Sequence, residues 1–237
     1  MLSWFRKKKS TKELTPGGSV VFRHGGNEFT KTKVGFTDES TAEFGEAREK
    51  VYGQFFGGSP QAFHELLPFI PHIDVYTYGP SHSNRDFFTL VTSGMSDLEI
   101  AIPQDVRGVS RRVELIFYCS DPKEEYLETL RRLAHFPHDN KTWLGSGHTM
   151  PNGSPPVRLW GSTVLDSFLF MPTIVKPDAT LSKQLVLGGQ PVQFLWVVPL
   201  STPELNLKLE KGFKAILDLF DEHRHPYVFN PARRSYV

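Results

Sequence analysis

Residues 72–118 read HIDVYTYGPSHSNRDFFTLVTSGMSDLEIAIPQDVRGVSRRVELIFY. Ile73, Val75 and Thr77 alternate with Asp74, Tyr76 and Tyr78, the period-two pattern of a strand. Residues 87–92 and 111–118 repeat that behaviour. In the last run Val113, Leu115 and Phe117 face one way, and Glu114, Ile116 and Tyr118 the other. Between the second and third runs lies a tight turn of small residues, Thr92-Ser93-Gly94-Met95-Ser96. The stretch carries no recognisable catalytic or metal motif, which points to a protein that works by shape and contact.

Outward from this stretch the pattern changes. Toward the N-terminus, Phe44, Val51, Tyr52, Phe55 and Phe56 recur at helical spacing, with Asp38 or Ser40 as cap and Gly57-Gly58 as stop. A second short helix is expected over 61–69. Residues 1–37 are polar and broken by Pro16-Gly17-Gly18 and Gly25-Gly26, so they read as a partly ordered arm with a short edge strand near 19–22. Toward the C-terminus, 122–136 is an amphipathic helix, with Asp121 as N-cap and Pro137 ending it. Residues 138–161 are loop-rich, with a short strand near 147–150. Residues 164–170 and 192–200 read as central strands, the second nearly continuous in apolar side chains and so buried on both faces. Ser201 and Glu204 have capping-box spacing, and a stripe of Leu205, Leu209, Phe213, Ile216, Leu217 and Phe220 predicts one last helix.

Strands come in runs, without a helix after each. The expected fold is therefore α+β, a mostly antiparallel mixed sheet flanked by helices. No repeat or linker divides it, so residues 38–237 read as a single domain behind the 1–37 arm.

Composition narrows the function. Among 237 residues, 39% are hydrophobic and 22% charged, which suits a globular protein with a real core. A formal net charge of +1 gives no field to gather a polyanion, so nucleic acid is not an expected partner. The lone Cys119 rules out an internal disulfide and reads as a small apolar core residue. No apolar run reaches the roughly 20 residues of a membrane helix, and MLSWFRKKKS reverses the order of a secretory signal, so a cytoplasmic protein is expected. Trp4, Phe5, Arg6, Lys7, Lys8 and Lys9 combine the aromatic and basic character that favours an anionic surface; a solvated terminus is the plainer account.

The sequence offers few groupings of reactive side chains. Ser96 shares the Gly-X-Ser start of a nucleophile elbow but lacks its final glycine. A serine hydrolase built on Ser96 with His148 as base is the alternative function; Ser93 and Ser96 otherwise bond the turn backbone. Nine histidines form only loose pairs, His135-x-x-His138 and His223-x-His225, so no metal or cofactor is expected. Glu114, after Arg111-Arg112, reads as one member of a structural ion pair. Candidate partner contacts are Tyr76, Tyr78, His82, Arg85, Trp143, Arg158 and Trp160, exposed aromatics and arginines on loops being the usual anchors.

Several blocks resemble the Suppressor of fused domain family. They are His72-Ile73-Asp74-Val75-Tyr76, Thr89-Leu90-Val91-Thr92-Ser93-Gly94-Met95-Ser96, Arg112-Val113-Glu114-Leu115, Trp143-Leu144 with Gly147-His148-Thr149, and Phe194 to Leu200, continuing through Glu204 and Gly212-Phe213. The resemblance spans roughly residues 40 to 235, and its most specific pieces are Asp74 and the turn Thr92, Ser93, Gly94, Met95, Ser96. It implies a mixed α/β fold without enzymatic activity. In animals the namesake holds Gli transcription factors by clasping an extended peptide between two domains; this chain resembles the N-terminal domain alone, so Gli binding is not carried over. Single-domain members are typical of bacteria and imply an immunity protein that binds and neutralises a toxin, its partner being another protein encoded nearby.

Overall fold

The structure is a computed structural model that describes residues 13–23, 33–34, 39–67, 69–80 and 85–237. Asp38, Pro68, His82 and the 4–9 cluster lie outside the described residues.

Eight strands form the main sheet, in the order β4-β6-β7-β8-β12-β10-β9, with β11 hairpinned onto β12. They are β4 (Gln61–Phe63), β6 (Asp74–Tyr78), β7 (Phe88–Ser93), β8 (Arg112–Cys119), β9 (Thr149–Pro151), β10 (Leu165–Pro172), β11 (Val186–Leu187) and β12 (Gln190–Ser201). β8 and β12 run parallel, Leu115 opposite Leu195; the other pairs are antiparallel. Two small ribbons stand apart, β1 (Glu13–Leu14) with β2 (Val20–Val21) and β3 (Lys33–Val34) with β5 (Phe69–Ile70). The helices are α1 (Glu39–Phe56), α2 (Glu124–Asp139), α3 (Leu181–Gln184), α4 (Thr202–Lys211) and α5 (Phe213–Glu222).

The period-two alternation of β8 divides the interior in two. Val113, Leu115 and Phe117 join Leu195, Val197, Phe168 and Phe170 beneath Tyr126, Leu130, Leu133 and Ala134 of α2. Ile116 and Tyr118 join Phe194, Trp196 and Val198 on the other side, against Tyr52 and Phe56 of α1 and Ile216 and Phe220 of α5. Helices on both faces explain why β8, β10 and β12 are buried on both of theirs. The result is the expected α+β architecture of a mixed, mostly antiparallel sheet between helices.

Three local expectations are corrected. Residues 61–69 are not helical: Gln61, Ala62 and Phe63 pair with Thr77, Tyr76 and Val75, and the open edge of β6 satisfies their backbone. α2 begins at Glu124 behind Lys123, not Asp121, with Glu124 and Glu125 against the positive end of its dipole. It also runs through Pro137 to Asp139. Near the helix end a proline removes a single bond, and Asn140 closes the turn through its N–H and Nδ2, both to the Phe136 carbonyl. The last helix is two. Gly212 adopts φ 89°, open to glycine, and separates α4 from α5. The capping box is present: Ser201 Oγ accepts from Glu204 N (3.3 Å) and Glu204 Oε2 from Ser201 N (2.8 Å).

The C-terminal segment closes the sheet. Pairing of β8 with β12 stops at Trp196, and Phe229 enters beyond it, donating its N–H to the Tyr118 carbonyl (2.8 Å). Arg233 fastens the segment with a bidentate pair to buried Glu204 (2.6 and 2.9 Å) and a bond to the Pro199 carbonyl (2.9 Å).

Candidate functional site

The turn after β7 is built around a buried carboxylate. β8 points Glu114 to the α1 side of the sheet, where it is fully buried. Its Oε1 accepts from Gly94 N (3.1 Å), Ser96 N (3.0 Å) and Ser96 Oγ (2.5 Å), and its Oε2 from Thr92 Oγ1 (2.6 Å). Gly94 is required here. Its φ is 124°, and a Cβ would stand 1.9 Å from the His72 carbonyl oxygen. Met95, Ser96 and Asp97 then form one 3-10 turn.

Helix α1 supplies the counter-charge. Arg48 reaches Ser93 Oγ (3.0 Å) and Ser96 Oγ (3.3 Å), pairs with Asp97, and lies 4.0 Å from Glu114. Tyr52, one turn on, donates to the Thr92 carbonyl (2.8 Å). Arg112 holds the Ser96 and Asp97 carbonyls (2.7 and 2.9 Å) with its cation 4.9 Å from the Phe44 ring centre. Burial alone would lower the Arg48 guanidinium, but Glu114 and Asp97 outweigh it and hold it above its ordinary value. Burial pushes both carboxyls up, against the pull of Arg48. Glu114 is thus a member of a structural ion pair, its cation being Arg48 of α1.

This network accounts for Ser96. Its hydroxyl donates to Glu114, accepts from Arg48 and has no solvent exposure. A nucleophile must reach substrate. His148, the base of the hydrolase alternative, packs its ring 4.2 Å from Trp143 and is pushed down to about 4 by burial, with Lys208 adding to the shift.

A second polar cluster surrounds Asp74. Its Oδ1 accepts from Glu65 N (2.9 Å), and its Oδ2 meets His64 Nδ1 (2.9 Å). Glu65 accepts from Ile73 N (3.0 Å) and meets His135 Nε2 of α2 (2.7 Å). Arg131, also on α2, donates to the carbonyls of Ile73 (3.0 Å) and Phe63 (2.5 Å). Asp74 therefore ties His64 and Glu65 to the start of β6. Among the described residues no group of three His, Cys, Asp or Glu side chains is arranged to hold a metal ion.

The partner contacts expected from sequence do not share a surface. Tyr78 and Trp160 are buried and Arg85 is half-buried with a side chain 7% exposed, against the exposed loop positions expected of contacts. Arg85 grips Asp178 (2.5 and 2.8 Å) and Thr89 Oγ1 (3.0 Å) while lying over Phe56 and Phe87; Tyr78 packs on the same Phe56 (5.0 Å). Trp160 stacks among Phe117, Tyr126, Phe168 and Phe229 and donates to Thr129 Oγ1 (3.1 Å). Tyr76, half-buried on the α1 side, donates to Glu49 (3.2 Å), whereas Trp143 packs on the opposite, α2 side. Arg158 keeps an exposed side chain while holding Asp166 (2.8 Å).

Sequence reasoning missed a different surface. Leu66 is 94% exposed, with Leu67 beside it, in the loop that Arg131 and His135 tie to α2. Val157 is 61% exposed and neighbours Arg158, in a loop tied to α2 through Arg132–Asn152 (2.9 Å) and Trp160–Thr129. Two exposed apolar loops thus flank one helix. A helix expected over 61–69 hid the first of them.

Comparison with solved structures agrees on the architecture. A suppressor of fused homolog from Neisseria gonorrhoeae FA 1090 is similar with a TM-score of 0.61, 19% identical over 83% of this chain and 98% of that one. The Sufu–Fu complex crystal structure gives 0.57 and 17% identity, over 81% of this chain and 91% of that one. Drosophila Suppressor of Fused gives 0.50 and 16%, over 81% of this chain and 50% of that one. No curated protein matches the chain in sequence. Identities this low speak for the fold, and the sequence itself carries the rest: the family model of Suppressor of fused protein (SUFU) matches residues 70–234, from Ile70 of β5 through Arg234, and the chain belongs to that family of protein-interaction domains.

Proposed function

We propose that this chain is a non-enzymatic interaction domain of immunity type, which binds a toxin and covers its working surface. Residues 38–237 form the domain, residues 1–37 an appended arm, and the complex forms in the cytoplasm. The observation that carries the reading is the pair of exposed apolar loops, Leu66-Leu67 and Val157-Arg158, on either side of α2. Both are anchored to the same rigid helix by arginine bonds, so little ordering cost attends binding. The hydroxyls of the 92–97 turn and the Asp97 carboxylate are engaged with Glu114 and Arg48 inside the domain. The toxin-directed form rests on the family resemblance to single-domain bacterial members.

The test is co-expression with a toxin domain encoded beside this gene, which the reading requires. Growth should be restored by the natural chain and lost with Leu66→Asp plus Val157→Asp, while the thermal midpoint stays within a degree or two, as expected for exposed sites. Killing that persists with the natural chain overturns the toxin reading. Rescue that survives both substitutions overturns the choice of surface.

A further inference from the structure

Two neighbouring strands of the sheet part. β8 and β12 pair as far as Ile116 and Trp196; beyond that point β8 keeps only β7 and β12 only β10. Residues 225–237 fill the opening as a clip. Phe229 bridges Cys119 in parallel and donates its N–H to the Tyr118 carbonyl (2.8 Å). Arg233 meets the opposite wall at Glu204 and the Pro199 carbonyl. Ser235 Oγ lies 2.7 Å from Ser201 Oγ, and Tyr236 N donates to Glu204 Oε1 (3.0 Å). A bridge at a strand edge and one buried ion pair are means by which a sheet receives a segment from elsewhere.

A short hinge joins the clip to the body. α5 ends at Glu222, and the N–H of His225 turns back to the Phe220 carbonyl (2.8 Å). Between them Arg224 is held at φ 49°, a left-handed conformation that helix ends usually give to glycine. Straightening the hinge relieves that conformation. The bonds that seat Phe229, Arg233 and Ser235 are made to β8, β12 and α4, so they are indifferent to which molecule supplies the clip. We propose that the slot between β8 and β12 is an interaction site whose partner is a second copy of this chain, residues 225–237 of each molecule closing the sheet of the other. The slot identifies its occupant. The sequence that fits it, Phe229 at the strand edge and Arg233 four residues on against a buried carboxylate, is one that every copy presents. A swapped pair keeps those bonds and releases Arg224 in both molecules. Lifting the clip breaks the buried ion pair, so the exchange is set during folding. It is opposed by the high effective concentration of a molecule's own clip and grows with protein concentration.

Two full-length variants test this, one with Ser201→Cys and the other with Ser235→Cys. Ser201 is fully buried against Ser235 of the same molecule, so a link to it from another molecule requires that molecule's clip in the slot. Refolded together from urea at high concentration and then oxidised, the pair should give a dimer joined between positions 201 and 235, as peptide mapping reads, in a fraction that rises with concentration. Arg233→Met in the Ser235→Cys chain should cut that yield at least about tenfold, because it removes the ion pair that seats the clip. The natural chain refolded at the same concentration should show the dimer by light scattering. Monomer alone in both experiments overturns the proposal. So does a dimer whose yield survives Arg233→Met, which puts the association outside the slot.

Discussion

Replacing Arg48 by Met tests whether the turn 92–97 is an interior framework. Methionine keeps much of the volume and removes the charge, leaving Glu114 and Asp97 buried with their cation gone. Breaking a buried pair in this way costs about 3–5 kcal/mol. The carboxyl can escape part of the penalty by taking a proton, which sets a ceiling. From an ordinary value near 4.3, holding one carboxyl protonated at pH 7 costs about 3.7 kcal/mol, at 1.36 kcal/mol per pH unit. At pH 5 the same arithmetic gives about 1 kcal/mol. The sign follows from linkage. A carboxyl raised in the fold binds its proton more tightly there than in the unfolded chain, so its ionisation removes stability as pH rises above the unfolded value. The loss relative to the natural chain should thus be about 3–4 kcal/mol at pH 7 and shrink by roughly 2–3 kcal/mol at pH 5. Urea unfolding of both chains at the two pH values measures it. A loss under about 1 kcal/mol at pH 7, or one that does not change with pH, would refute the buried-charge account.

Three further outcomes follow from other parts of the fold. Gly94→Ala combines an unfavourable φ with a Cβ 1.9 Å from the His72 carbonyl oxygen, and should cost at least about 3 kcal/mol or prevent soluble expression; an unchanged thermal midpoint contradicts the packing of the turn. His138, His148 and His225 are each pushed down to about 4 by burial, so they stay neutral in the fold while the unfolded chain takes up protons below about 6.5. Stability should therefore fall between pH 6.5 and 4, by about 1–2 kcal/mol per imidazole after allowance for partial exposure, and a urea midpoint that rises on acidification contradicts this. Arg233→Met strands Glu204, which burial would raise but Arg233 holds low; a loss of about 3–5 kcal/mol is expected, with faster amide exchange at Phe229 and Tyr236, and unchanged exchange there refutes the clip.

The strands were legible where side-chain period and burial agreed. Val113, Leu115 and Phe117 against Glu114, Ile116 and Tyr118 is the division found in the two cores, since a pleated strand offers each residue one of two faces. The stretch 61–69 misled for a physical reason. Phe63, Leu66 and Leu67 stand at i, i+3 and i+4, the helical spacing, yet the unpaired edge of β6 takes Gln61 to Phe63 as a strand and Leu66 is left in solvent. Arg85 misled because its partner, Asp178, lies 93 positions away, and no local pattern announces a buried cation. Trp160 misled in the same way. A tryptophan in a glycine-rich loop resembles a contact residue, but the fold closes Phe117, Tyr126 and Phe229 around it.

Thr92, Ser93, Gly94, Met95 and Ser96, the turn on which the sequence resemblance leaned most, are all buried. Their chemistry is spent on Glu114 and Arg48, so substitutions among them act on stability. Leu66 and Val157 lie at the other extreme. Exposed and outside both cores, they should exchange within about 0.5 kcal/mol of stability. A binding surface made of such positions can change partner without endangering the fold beneath it. The buried turn therefore transmits an architecture, and under the proposed function the choice of partner would fall to exposed side chains around α2 that the turn does not include.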